Sequence, residues 1–128
     1  MNSRVFGPES DFERQLINEL TAAGVQVVPQ FQVKIGEGRQ FRADIFISSP
    51  QRAVIEIKSI LSRSEAMVLA QARMQMEAVR KAFEDQVICI VVLIGANESS
   101  RDRGTDDDWL DVVVVSGVDG AVAAAQAI

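Results

Sequence analysis

The run VICIVVLIG, residues 87–95, carries no charge and is apolar at almost every position. Successive side chains of a strand point to opposite faces, so a strand that is apolar throughout must be covered on both. That demand is met inside a parallel or mixed sheet with helices above and below. What precedes the run supplies one of those helices. Ser62 and Glu65 stand at capping-box spacing, and the chain from about Ser64 to Asp85 has helical periodicity. Before it lies the strand AVIEIKS, residues 53–59. A strand, a helix and a strand in this order predict a right-handed crossover between two parallel strands.

The remaining elements complete an α/β pattern. Ser10 and Glu13 also have capping-box spacing and Gly24 suits a helix C-cap, which predicts a helix from Ser10 to Ala23. VQVVPQFQVKIG reads as an extended segment bent at Pro29, GEGRQ as a turn, FRADIFI as a strand and SSPQR as a second turn. The core order is therefore αβββαβ, a mixed sheet flanked by helices. NESSRDRGTDDD, residues 97–108, reads as an acidic loop, WLDVVVVS as an extra C-terminal strand, and DGAVAAAQAI as a short helix capped by Asp119. The 128 residues are expected to form one domain, with a core over about 9–95 and an extension over 109–128. No run reaches the roughly 18 apolar residues of a membrane span, and the N-terminus has no basic-then-apolar leader, so a cytoplasmic protein with no membrane partner is expected.

Composition narrows the chemistry. The chain has no histidine, which removes Ser-His-Asp and Cys-His nucleophiles, histidine-ligated zinc and histidine-based nuclease mechanisms. Its one cysteine, Cys89, lies within the apolar run and reads as a core residue. Carboxylates, lysine or a metal are what remain. The net charge of -5 argues against a polyanionic partner. Its distribution weakens that argument, because residues 1–81 hold 11 basic and 9 acidic side chains while residues 82–128 hold 2 and 9.

Two strands are interrupted by charge. In AVIEIKS, alternation sets Ile55 and Ile57 on one face and Glu56 and Lys58 on the other. In FRADIFI it groups Ala43, Ile45 and Ile47 against Arg42, Asp44 and Phe46. If the two strands pair, Asp44 and Glu56 approach each other, and two close carboxylates call for a cation such as Mg²⁺. Charge on the open face of an antiparallel pair is also ordinary, and a solvated face is the competing reading. The helices bear on that choice. Glu13 falls within the apolar arc of Phe12, Leu16, Ile17 and Leu20, where it either closes the capping box or serves a site, and the two roles are compatible. On the long helix, the face of Met67, Ala70, Met74, Ala78 and Ala82 is expected to be buried, with Gln71 and Gln75 upon it. Either glutamine could equally bond to backbone at the edge of the core.

These residues, Glu13 in FERQL, Asp44 in RADIF, Glu56 and Lys58 in IEIKS and Gln71 in LAQAR, resemble the pattern of the PD-(D/E)XK nuclease superfamily. The resemblance covers residues 9 to about 95, with Ala43 in place of the name-giving proline. It implies a restriction endonuclease-like fold and a Mg²⁺-dependent nuclease, Mn²⁺ substituting, that hydrolyses phosphodiester bonds with DNA as the expected substrate. Asp44, Glu56 and the Ile57 carbonyl would hold the metal, with Glu13 reaching it through water. Lys58 would orient or deprotonate the attacking water, and Gln71 would position Lys58 or a phosphate. Arg39, Arg42, Arg52 and Arg63 lie near these strands as candidate phosphate contacts. Two other readings are an inactive nuclease-fold module for nucleic-acid binding or protein assembly, and a homodimer or larger complex that uses the alanine-rich C-terminus as a surface.

Overall fold

The computed structural model describes residues 8–60, 65–95, 109–115, 125 and 128, excepting the side chains of residues 8–10. Helix α1 is Pro8–Ala22, strand β1 Gln26–Gly36, β2 Arg39–Ser49, β3 Ala53–Ser59, helix α2 Glu65–Ala82, β4 Ile88–Ile94 and β5 Leu110–Val115. The five strands form one sheet in chain order, β1 to β5. β1, β2 and β3 run antiparallel, and β3, β4 and β5 run parallel. The acidic loop over 97–108, the capping-box Ser62, Arg63, the expected helix start at Ser64, and nearly all of the expected C-terminal helix lie outside the described residues.

Strand β4 meets the demand of its sequence. Ile90, Val92 and Ile94 pack with Phe12, Leu16 and Leu20 of α1. Cys89, Val91 and Leu93 point the other way and pack with Val68, Ala72, Met76 and Val79 of α2. The sheet is thus the middle of three layers. Cys89 is fully buried, as expected, and burial pushes its thiol up to about 11. No described helix is long and apolar enough to cross a membrane.

The helix ends differ in how they arise. α1 closes on Gly24 at a φ of 89°, where Val25 N–H donates to Leu20 O at 3.1 Å and Gly24 N–H to Thr21 O at 3.0 Å, a Schellman arrangement. Its start corrects the capping-box expectation, since the helix begins at Pro8 and Ser10 falls in the first turn. Proline is pre-set for that first position. α2 was expected to reach Asp85 and stops at Ala82. The same closing pattern appears there without glycine: Asp85 N–H donates to Arg80 O at 2.9 Å, and Glu84 and Asp85 take φ values of 55° and 65°. Tertiary contacts hold this turn. Arg80 pairs with Asp85 at 2.8 Å, and Phe83 stacks on Phe46 with centroids 5.8 Å apart.

The buried face of α2 is also a correction. Val68, Ala72, Met76 and Val79 are buried, whereas Met67 is 72% and Met74 75% exposed. The helix carries two apolar stripes, and the β-branched pair Val68 and Val79 belongs to the one that meets the sheet. Gln71 is exposed and Gln75 half-buried in consequence.

Glu84→Gly should raise stability by about 1 kcal/mol, because glycine accepts the left-handed conformation without the Cβ clash. Thermal denaturation checks this, and an unchanged or lower midpoint would mean that the turn is not strained.

Candidate functional site: a carboxylate pair at a strand fork

The β2–β3 ladder is short. Ile47 pairs with Ala53, Phe46 with Val54 and Ile45 with Ile55, and there the rungs end although both strands continue. The next rung would set Asp44 opposite Glu56. Side chains take its place: Asp44 Oδ2 accepts the Ile57 N–H at 2.8 Å, and Glu56 Oε1 accepts the Asp44 N–H at 3.4 Å. The strands therefore fork at the two carboxylates. In a strand the N–H and C=O of one residue point to the same side, so the Ile57 carbonyl also faces the fork.

Glu56 is the one charged side chain buried among the described residues, at 6% exposure. Lys58 Nζ lies 3.4 Å from Glu56 Oε2, its side chain 18% exposed. Burial first and then the Asp44 charge push the Glu56 carboxyl up to about 7, against the opposing pull of Lys58 and the Asp44 N–H.

A second irregularity sits at the same level. Gln30 of β1 stands opposite Asp44, between the rungs Pro29↔Ile45 and Phe31↔Ala43, and adopts a φ of 54°. The bend expected at Pro29 is thus centred one residue later. It corrects the expected grouping of Ala43 with Ile45 and Ile47: those isoleucines pack toward α1, while Ala43, Phe31 and Phe41 pack toward α2. The left-handed residue turns the outer half of the hairpin so that its apolar side changes layer. Phe31 stacks on Phe46 with centroids 4.3 Å apart across the bend.

Of the predicted site residues, the fold brings Asp44, Glu56 and Lys58 together. Glu13 on α1 accepts a hydrogen bond from Gln30 Nε2 at 2.9 Å, and Gln30 lies opposite Asp44 in the β1–β2 register. Gln71 lies on the exposed side of α2, and no hydrogen bond among the described residues joins it to Lys58. Gln75 has a buried Oε1 that lacks a hydrogen-bond partner among the described residues. Arg52 belongs elsewhere, at the opposite end of β3 from Lys58, where it reaches Gln86 at 3.4 Å and covers the Phe83 ring at 5.3 Å. The Gln30 bend beside Asp44 was not foreseen. Its only sequence signal was the neighbouring proline.

Asp44 and Glu56 are the carboxylates at the fork that could hold a cation. Among the described residues no three His, Cys, Asp or Glu side chains converge, so a cage of protein ligands is absent there. Mg²⁺ is commonly held by one or two carboxylates and keeps waters or substrate phosphates for its other positions. Asp44 and Glu56, repelling each other at the fork, fit that description.

The order α–β–β–β–α–β, extended by one parallel strand, defines an α/β three-layer fold whose site opens where the second and third strands part. Solved structures that share it include the following two. An XisH family protein from Nostoc punctiforme is 16% identical, with a TM-score of 0.60 over 88% of this chain and 94% of that one. An fdxN element excision controlling factor protein from Anabaena variabilis is 19% identical, with a TM-score of 0.58 over 88% of this chain and 95% of that one. At these identities the likeness is one of fold. No protein-family model matches the chain, and no curated protein matches it in sequence.

The raised Glu56 carboxyl has a consequence for stability. The folded protein holds a proton between pH 4.5 and about 7 that the unfolded chain has released, so metal-free stability falls as pH rises through this window. The full effect is up to about 3 kcal/mol. Glu56→Gln should therefore be more stable than the parent at pH 8 and not at pH 4, as read from urea denaturation without divalent metal. An equal difference at both pH values would show that Glu56 ionises normally.

Proposed function

We propose that this chain is a metal-dependent nuclease of the PD-(D/E)XK type that hydrolyses phosphodiester bonds of DNA. The observation that carries the reading is the fork itself, where Asp44, Glu56 and Lys58 converge in the order and on the strands that the resemblance requires. The αβββαβ order and the description of one structural neighbour as an element excision controlling factor support it.

Asp44 and Glu56 would hold Mg²⁺, or Mn²⁺ in its place, with the Ile57 carbonyl directed to the same side. When bound, the metal supplies a water of lowered pKa and neutralises charge on the phosphate. Lys58, kept at the fork by Glu56, donates hydrogen bonds to the water or to the negative charge that builds on the phosphate. Asp44 has a second task, because its bond to the Ile57 N–H holds the fork open and its carboxylate in place. Glu13 bears on the site through Gln30, which fixes the bend opposite Asp44. Arg39 and Arg42, both exposed on β2 beyond the fork, are placed to meet the phosphate backbone.

The competing reading is a nuclease-fold module that binds or assembles without turnover. The Glu56–Lys58 pair favours it, since an internal lysine can neutralise one carboxylate without a metal. Cleavage of DNA and RNA substrates of several shapes in Mg²⁺ or Mn²⁺ separates the two. The nuclease reading expects metal-dependent cleavage that falls at least ~100-fold in Asp44→Ala and Lys58→Ala. Equal cleavage by all three proteins would sink it. Absence of cleavage, with no heat of Mg²⁺ or Mn²⁺ binding by calorimetry, would establish the module.

A further inference from the structure

We propose that the outer half of the β1–β2 hairpin is a duplex-binding ribbon, which lays its outward face in the major groove of DNA. The proposal rests on the nucleic-acid reading of the fork for the class of polymer, and it does not require the fork to cleave. Beyond the fork β2 has left β3, and the hairpin continues as a two-stranded ribbon. Its rungs alternate in character. Phe31 pairs with Ala43 and Val33 with Phe41, and all four are buried or half-buried. Gln32 pairs with Arg42 and Lys34 with Gln40, and all four are exposed. Phe31, Phe41 and Ala43 pack toward α2, so the ribbon is backed by a helix on one face and open on the other.

Charge selects the occupant. Residues 31–43 hold Lys34, Arg39 and Arg42 against the single acid Glu37, in a chain whose net charge is -5. Glu37 lies outside both strands, in the turn, and the open face carries only cations and amides. Other cations of the fold are engaged: Arg14 pairs with Asp11, Lys58 with Glu56 and Arg80 with Asp85, while Arg52 bonds to Gln86. No ion pair among the described residues engages Lys34, Arg39, Arg42 or Lys81. Unpaired cations gathered on one surface of an acidic protein are complementary to a polyanion. The amides narrow the choice further. A polymer that offers base edges as well as phosphates gives Gln32 and Gln40 partners, and a glutamine amide bonds adenine through two atoms.

Shape selects the form of that polymer. The major groove of B-form DNA is about 12 Å wide and admits a two-stranded ribbon, whereas the deep, narrow major groove of an RNA duplex does not. Each strand of the ribbon presents one cation and one amide. Lys34 and Arg42 are diagonal neighbours, about 7–8 Å apart, and so are Gln32 and Gln40. Between α2 and the free edge of β1 runs a groove of about 540 Å³, lined by Lys34, Gly36 and Lys81 among others. Its one acid, Glu77, is paired with Arg80. Cations thus border the ribbon where the phosphates that flank a DNA groove would pass, and the amides lie between them. Arg42 stands two residues, about 7 Å of strand, from Asp44, so a duplex held on the ribbon reaches the fork.

Fluorescence anisotropy with duplex DNA, in EDTA and again with Ca²⁺ in place of Mg²⁺, tests binding. The parent should bind. The double variant Lys34→Gln/Arg42→Gln should bind at least ~10-fold more weakly at about 50 mM salt, and its plot of log affinity against log salt should be shallower by about 2. Arg52→Gln, which removes a cation away from the ribbon, should leave the slope unchanged. Duplex RNA of the same sequence should bind at least ~10-fold more weakly than DNA. No binding of the parent to duplex DNA in either condition, an equal loss in Arg52→Gln, or RNA bound as tightly as DNA would each overturn the proposal. Its failure is distinguishable from that of the nuclease reading. Binding that depends on Lys34 and Arg42 without metal-dependent cleavage upholds the ribbon alone, whereas cleavage of dilute DNA undiminished in the double variant overturns the ribbon alone.

Discussion

The Asp44 carboxylate does the work of a backbone carbonyl. At 2.8 Å it accepts the Ile57 N–H that a longer β2–β3 ladder would have paired with main chain, and β2 is thereby free to part from β3 without stranding a donor. Much else follows from this one bond. The fork exists because a side chain can end a ladder where a turn could not. Glu56, next on β3, turns its own carboxylate to the Asp44 N–H and is carried into the interior. The result is two acids and an amine held where a sheet would otherwise be closed.

Burial at such a place is costly unless the charge is met. Lys58 meets part of it, but the Glu56 carboxyl still stands well above its ordinary range, and the causes rank burial before Asp44 and both before the lysine. A purely structural ion pair would be more economical without Asp44 beside it, since an isolated Glu–Lys pair has no like charge to overcome. Below about pH 7 the pair is relieved by a proton on Glu56. A carboxyl kept in the interior beside a like charge costs stability once it ionises.

What the sequence disclosed follows the strength of the local constraint. The run over 87–95 could only be satisfied between two layers, and β4 lies there with alternate residues facing α1 and α2. Gly24 announced the end of α1 because only a left-handed residue closes a helix in that way. Asp44, Glu56 and Lys58 were legible because strand periodicity places them with little ambiguity. The end of α2 was hidden, since it depends on Phe83 meeting Phe46 and Arg80 meeting Asp85 rather than on a glycine. The change of layer at Gln30 was hidden for a related reason. Strict alternation assumes a flat strand, and a single residue at positive φ reverses it for everything beyond.

The misassigned face of α2 is informative in its own right. α2 has two apolar stripes at helical spacing, Met67, Ala70, Met74, Ala78 and Ala82 on one and Val68, Ala72, Met76 and Val79 on the other, and periodicity alone does not choose between them. The sheet instead took Val68, Ala72, Met76 and Val79, which leave less volume to fill against the close-set residues Cys89, Val91 and Leu93. The rejected stripe kept its apolar character although it faces outward, where lysine or glutamate would serve solubility better. Of its two apolar stripes α2 buries the one whose β-branched Val68 and Val79 meet the sheet, and only the packed fold reveals that choice.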